Sequence, residues 1–226
     1  MKIIVYVEGP SDGGALKRLL FRTIENARVQ GVGLEFLPLG SKKNVIFKAA
    51  GRAINILQNS YSDDVFALPD LYPPNVGQPH TTSDELKGIL IEQFHRRWVE
   101  CHVDAVSLLP RFHTHCLKHD LEALVLAAEE GLKGHLRLRH TFPVRWVRPV
   151  ENQNMSDPPK RVIERLFRAQ GRHYVDTIDA PAVLARADVD TIAQRCPQCF
   201  GPFHRDLVSV ASSAGSNQRK TKESLI

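Results

Sequence analysis

Five carboxylates stand where short apolar runs stop. Glu8 follows Ile3-Ile4-Val5-Tyr6-Val7, and Asp12 comes one tight turn later. Asp70 follows the run Val65-Phe66-Ala67-Leu68, and Asp120 with Glu122 begins a helical pattern after a fourth apolar run. A single carboxylate in such a place caps a helix or faces water. Several converging on one edge are different, because two unit charges ~4 Å apart repel by about 4 kcal/mol at an effective dielectric of 20. A hard divalent cation offsets that repulsion: Mg²⁺ prefers carboxylate oxygens and keeps several of its waters. Such a site binds a phosphodiester, polarises its phosphoryl oxygen and activates water for in-line attack. The chemistry to expect is hydrolysis of a phosphodiester with Mg²⁺ or Mn²⁺.

For the carboxylates to meet, parallel strands must end on the same side of a sheet. The pattern meets that condition. β-branched and aromatic run 3–7 predicts a strand buried on both faces. Gly9-Pro10-Ser11-Asp12-Gly13-Gly14 then leads into a helix with Ala15, Leu19, Leu20, Ile24 and Ala27 on its apolar face. Further strands are expected at 34–39, 65–68 and 105–109, and helices at 43–58, 83–100 and 120–130. Strand–helix alternation of this kind implies βαβ units, a mostly parallel sheet and helices on both faces. The segment from Leu71 to Thr82, with Pro73, Pro74, Gly77 and Pro79, reads as a loop.

After Gly131 the pattern changes. Leu136 to Val150 alternates basic and apolar residues, as a hairpin or sheet edge would, and Pro158-Pro159 precedes a helix from Lys160 to Gln170. Short helices follow, and the composition from Ser212 onward suggests a frayed tail. The expected division is an α/β domain over 1–150, a helical extension over 151–211 and a flexible tail over 212–226.

The chain has 226 residues, and 42% hydrophobic with 24% charged positions excludes wholesale disorder. No apolar run approaches the ~18 residues of a membrane helix. Met1 to Val7 reads as a strand and not a signal peptide, so a cytoplasmic setting with reduced thiols is expected. Net charge is +5, with arginines and lysines dense from Arg96 onward, including Lys160, Arg161 and Arg165. They form either a solvated face or a groove for a phosphate backbone. Glycines 9, 13 and 14 match neither GxGxxG nor GxxxxGK[ST], which argues against a nucleotide-binding loop in this chain.

Val7-Glu8-Gly9-Pro10-Ser11-Asp12 resembles the opening strand and turn of TOPRIM domains, and Asp70-Leu71-Tyr72 stands where those folds carry an Asp-x-Asp pair. With His119-Asp120-Leu121-Glu122-Ala123-Leu124, Pro158-Pro159-Lys160-Arg161 and Cys196-Pro197, the series resembles the bacterial domain-of-unknown-function family 4276. The resemblance implies a Rossmann-like TOPRIM sheet and a metal-dependent nuclease or nickase, related to nucleases of the overcoming-lysogenization-defect type. It gives Glu8 as metal ligand or general acid/base, Asp70 as metal ligand and Glu122 as the third acidic group. Asp12 and Asp120 supply further ligands, and Lys160 sets a charge against the phosphate in the transition state. Lys160, Arg161 and Arg165 would lie along the nucleic acid, DNA ahead of RNA. Such relatives accompany ABC- or SMC-type ATPases in phage defence, which implies an ATPase partner; a homo-oligomer is a further possibility. Tyr72 occupies the second position of the aspartate pair. The competing reading is a catalytically degenerate TOPRIM-like subunit that docks on the ATPase.

Other signals leave alternatives open. Cys196-Pro197-Gln198-Cys199 is half a zinc site or two packed thiols. His113, His115, Cys116 and His119 bind metal, relay protons or bond locally. A small-molecule phosphohydrolase would need an acid where Tyr72 stands.

Overall fold

The computed structural model describes residues 1–74, 79–101, 107–153 and 156–223, with the backbone course alone from 214. Its sheet has four parallel strands: β1 (Lys2–Val7), β2 (Gly33–Pro38), β3 (Asp64–Ala67) and β4 (Phe112–Thr114), in the order β2-β1-β3-β4. Strand β1 alternates between two cores. Ile3, Val5 and Val7 face one, and Ile4 and Tyr6 face the other, as the period of two along a strand requires.

Helices α1 (Pro10–Leu19) and α2 (Phe21–Val29) cover the first face. Helices α3 (Lys42–Asn59) and α4 (Ser83–Cys101) cover the second. Pro10 suits the first turn of α1, where its missing N–H is not needed, and Asp12 reaches back to the Gly9 N–H at 2.7 Å. Ser41 caps α3 by accepting the Asn44 N–H at 3.2 Å. The single helix expected from residue 15 to 27 is interrupted at Leu20, although backbone bonds from Leu20 to Leu16 and from Ile24 to Leu20 carry the turn through.

Beyond β4 the first face gains α5 (Glu122–Ala127), α6 (Glu129–Leu136), α7 (Pro159–Arg168), α8 (Asp176–Leu184), α9 (Val189–Arg195) and α10 (Phe200–Glu223). Helix α8 packs along α1, α7 against α5, and α10 against α9 and α2. The mainly helical extension therefore shares the core of the sheet's first face. Gly131 marks how close it lies: a Cβ there would stand 2.5 Å from the Val183 carbonyl. Helix α10 runs on to Glu223, through the stretch whose composition suggests a tail.

Two expected elements are corrected. The fourth strand is not at 105–109: residues 105 and 106 lie outside the described residues, 107–108 form a turn and 109–111 a 3₁₀ turn, and the strand is Phe112–Thr114. Pro110 has no N–H to give a ladder. Arg111 instead ties the chain to the carbonyls of Leu57, Ser60 and Asp63 at 2.6–3.1 Å. Residues 137–149 form no strand or hairpin. The alternation there is real, but Leu138, Phe142, Val144 and Trp146 pack one by one against the helical core.

Histidines 113 and 115 belong to this edge. His113 lies on β4, stacked 4.2 Å from Phe66, between Asp64 and Asp206 at 3.0 Å each; His115 reaches Asp206 at 2.8 Å. Burial opposes a charge on His113, but its bonds to Asp64 and Asp206 carry its pKa upward. These groups fasten α10 to the edge strand. The cysteines of Cys196-Pro197-Gln198-Cys199 go to different cores, and Cys199 Sγ sits 3.5 Å from Cys116 Sγ. Both thiols are buried, but not as a pair with each other: the neighbour of Cys199 is Cys116.

Glu151, buried between the layers, accepts the N–H groups of Gln198, Cys199 and Phe200 at 2.6, 2.8 and 3.3 Å. It satisfies donors at the start of α10 that the helix itself leaves unpaired. Glu151→Ala should cost about 3 kcal/mol, since it orphans buried donors. In a chain of this size that is a melting temperature lower by about 6–12 °C. Glu151→Gln, which keeps an acceptor oxygen, should lose clearly less in the same thermal melt.

Candidate metal and phosphodiester site

The switch in strand order falls between β1 and β3, where the chain leaves β1 toward β2 on one side and returns to pair on the other. The crevice beyond the carboxyl ends of those strands is where open parallel sheets bind ligands. Each acidic group arrives there for a local reason. The Glu8 carbonyl accepts the Gly40 N–H at 2.7 Å. Gly40 holds φ +90°, a conformation that a side chain would strain. That turn also delivers Lys42. At the end of β3, Asp70 pairs with Leu117, and the Leu71 N–H reaches the Leu117 carbonyl at 2.6 Å. Three and five residues after Leu117 come Asp120 and Glu122.

The Glu8 carboxylate accepts the Asp70 N–H at 2.9 Å, which joins the two strand ends directly. Asp70 is 9% exposed and Glu122 4% exposed; Asp120 is open to solvent. Burial first, then the charges of Glu8, Asp120 and Asp12, push the Asp70 carboxyl well above its ordinary value. Burial likewise raises Glu8, helped by Asp12 and Asp120 and opposed by the Asp70 N–H and Lys42. Asp12 is raised by burial and then by Asp120 and Asp176. Glu122 is raised by burial and by Asp120 and Asp176, with Lys160 acting against both.

Lys160, at the start of α7, places Nζ 3.7 Å from Glu122 and 3.8 Å from Asp176. A cleft of about 290 Å³ lies beside it, lined by Tyr72, Pro73, His119, Asp120, Glu122 and Pro158 to Lys160. The site thus gathers Glu8, Asp12, Asp70, Asp120, Glu122 and Lys160 at one edge. Arg161 and Arg165 are not part of it. Arg161 donates to the Ser156 carbonyl, and Arg165 is paired with Asp157, one contact being 2.7 Å.

Two groups were missed by sequence reasoning. Lys42 donates to the Pro73 carbonyl and faces Glu8, Asp70 and Asp120; burial lowers its pKa against their pull. It follows the end of β2 closely, so the rule that finds Glu8 at the end of β1 also finds it. Asp176 has no local signal, because only the packing of α8 on α1 brings it beside Lys160 and Asp12. Tyr174 is half-buried near Glu122, and burial with that charge pushes its hydroxyl far up.

All-parallel topology, a switch point between β1 and β3 and carboxylates gathered beyond both define an open, Rossmann-like α/β domain with an acidic edge. The chain belongs to the family described as Domain of unknown function (DUF4276), whose profile matches residues 7–208. Among solved structures it is similar to the C-terminal region of the Burkholderia pseudomallei OLD protein, at 13% identity and a TM-score of 0.46. That match covers 94% of this chain and 98% of that one. The C-terminal region of the Xanthomonas campestris pv. campestris OLD protein matches at 12% identity and a TM-score of 0.43, over 96% of this chain and 97% of that one. No curated protein sequence matches the chain. Among the described residues, no helix is long and apolar enough to cross a membrane.

Proposed function

We propose that the protein is a Mg²⁺- or Mn²⁺-dependent phosphodiesterase that nicks or cuts nucleic acid, DNA ahead of RNA. The observation that carries this reading is the gathering of Glu8, Asp70, Asp12, Asp120 and Glu122 at one edge, where burial and mutual repulsion raise four of them. These oxygen donors suit a hard cation: Glu8 and Asp70, linked at the strand ends, would meet it first, with Glu122, Asp12 and Asp120 around them. Among the described residues no three His, Cys, Asp or Glu side chains stand close enough together to hold an ion, so in this arrangement at most two carboxylates would meet it, with water completing the shell. When bound, the ion polarises the phosphoryl oxygen and makes water acidic.

The chain's own groups do the rest. The Asp70 N–H fixes the direction of the Glu8 carboxylate. Lys160, half exposed on the rim, meets the charge of the phosphate. Lys42 balances part of the acidic charge from the opposite side. Through its TOPRIM resemblance the reading extends to bacterial phage defence in a cytoplasmic setting, beside a separate ABC- or SMC-type ATPase.

Supercoiled plasmid incubated with the purified chain should pass to the nicked or linear form with Mg²⁺ or Mn²⁺, and a chelator should stop it. A second reading, a degenerate subunit docking on the ATPase, draws on the open carboxylate arrangement and on Tyr72 at the second position of the aspartate pair. A chain inert with every divalent ion, yet retained by an ATPase encoded beside it, would replace the first reading with the second.

A further inference from the structure

From Gly131 to Val150 the sequence holds Lys133, Arg137, Arg139, Arg145 and Arg148, with no aspartate or glutamate. The four arginines are exposed. Among the described residues, Arg137, Arg139 and Arg145 make no ion pair, whereas Arg148 is held by Glu129 at 2.6 Å. The aromatic residues of the same segment turn inward. Phe142 and Trp146 meet edge to face, centroids 4.8 Å apart, and pack against the core of the first face.

Between this segment and α6 lies a cavity of about 560 Å³, lined by Glu129, Lys133, Phe142, Arg145, Trp146 and Arg148 among others. Lys133 Nζ stands 5.6 Å from the centre of the Phe142 ring. Among the described residues the indole N–H of Trp146, shielded from solvent, finds no hydrogen-bond partner, a donor left unsatisfied. Free cations outside and an aromatic wall inside are the two parts of a single-strand site. Cations follow the phosphates, and a base stacks on the ring, which a paired base inside a duplex cannot do. The volume falls within the range of small-molecule pockets.

We propose that this pocket takes an unpaired base of a single-stranded stretch of nucleic acid, stacked on Phe142, with the flanking phosphates on Arg145 and the neighbouring arginines. The proposal rests on the phosphodiesterase reading for the identity of the polymer. Along the chain, α5 opens at Glu122 of the acidic edge and α6, which helps line this pocket, opens at Glu129.

The test is fluorescence anisotropy of the full chain with a labelled oligothymidylate of about 16 nucleotides, and with a duplex of equal length. A chelator is present and the salt is fixed. The single strand should bind more tightly than the duplex. Phe142→Ala should weaken single-strand binding about tenfold, the value of one stacked base, and leave duplex binding alone. Phe142→Trp should restore it, which separates lost stacking from a disturbed fold; a thermal melt of each variant is the companion measurement. Equal binding of both substrates would overturn the proposal. So would a Phe142→Ala chain that binds like the parent, or one that Phe142→Trp does not rescue although it melts normally. If Arg145→Ala weakens both substrates equally and Phe142→Ala weakens neither, the face attracts polyanions by charge alone and the base pocket is rejected. Because binding is read without cleavage, an inert chain with intact single-strand preference would sink the phosphodiesterase reading and leave this pocket standing.

Discussion

Replacing Glu8 with glutamine should lower cation-dependent cleavage by at least about 100-fold, the upper end of what even an outer partner of a metal contributes, while the fold survives. Glutamine keeps a side-chain oxygen to accept the Asp70 N–H, so the 2.9 Å link between the two strand ends remains. What goes is the charge. Asp70→Asn makes the same change from the other side and should have an effect of the same size, because both carboxylates face one space together with Asp120. If they hold one ion, their losses will not add: the double variant should be little worse than either single one. Plasmid nicking with Mg²⁺ or Mn²⁺, measured beside a thermal melt, decides the matter. Full activity in either variant would remove these residues from the site.

The approach of the candidate carboxylates could be read from the sequence because its logic is that of parallel strands. Each strand ends on the same side, so an acid after β1, another after β3 and a pair at the next helix had to approach one another once the sheet was parallel. Lys42 obeys the same rule and could have been found by it. Asp176 could not, for it reaches the edge only through the packing of two helices far apart in the chain. Where the fold was misjudged, the cause was tertiary. Alternation from Leu138 to Trp146 has the period of a strand, yet its apolar half is satisfied by helices and not by a neighbouring strand. The edge strand β4 was hidden because it is short, with Phe112 alone buried, and includes His113, a half-buried polar side chain whose partners, Asp64 and Asp206, come from distant parts of the chain.

The acidic edge also dictates how stability should depend on pH and metal. Asp70, Glu8, Asp12 and Glu122 all hold their protons more tightly folded than unfolded, burial being the first cause in each. Below the ordinary carboxylate range both states are protonated and these groups cost nothing. As pH rises through their raised folded values, ionisation favours the unfolded chain and their contribution is lost. In chelator, Asp70→Asn should therefore melt above the parent chain at about pH 8, and the gap should narrow as pH falls toward the ordinary carboxylate range. A cation reverses the sign by binding only the ionised, folded edge. At 100 times its dissociation constant it adds about 2.7 kcal/mol, or a melting temperature higher by about 5–11 °C. That gain should be present at about pH 8, shrink at about pH 5 as the edge takes up protons, and vanish in the Glu8→Gln, Asp70→Asn double variant. A cation effect that is the same at both pH values, or that survives the double substitution, would mean the ion binds elsewhere. The edge would then be a set of protonated carboxyls with a structural role.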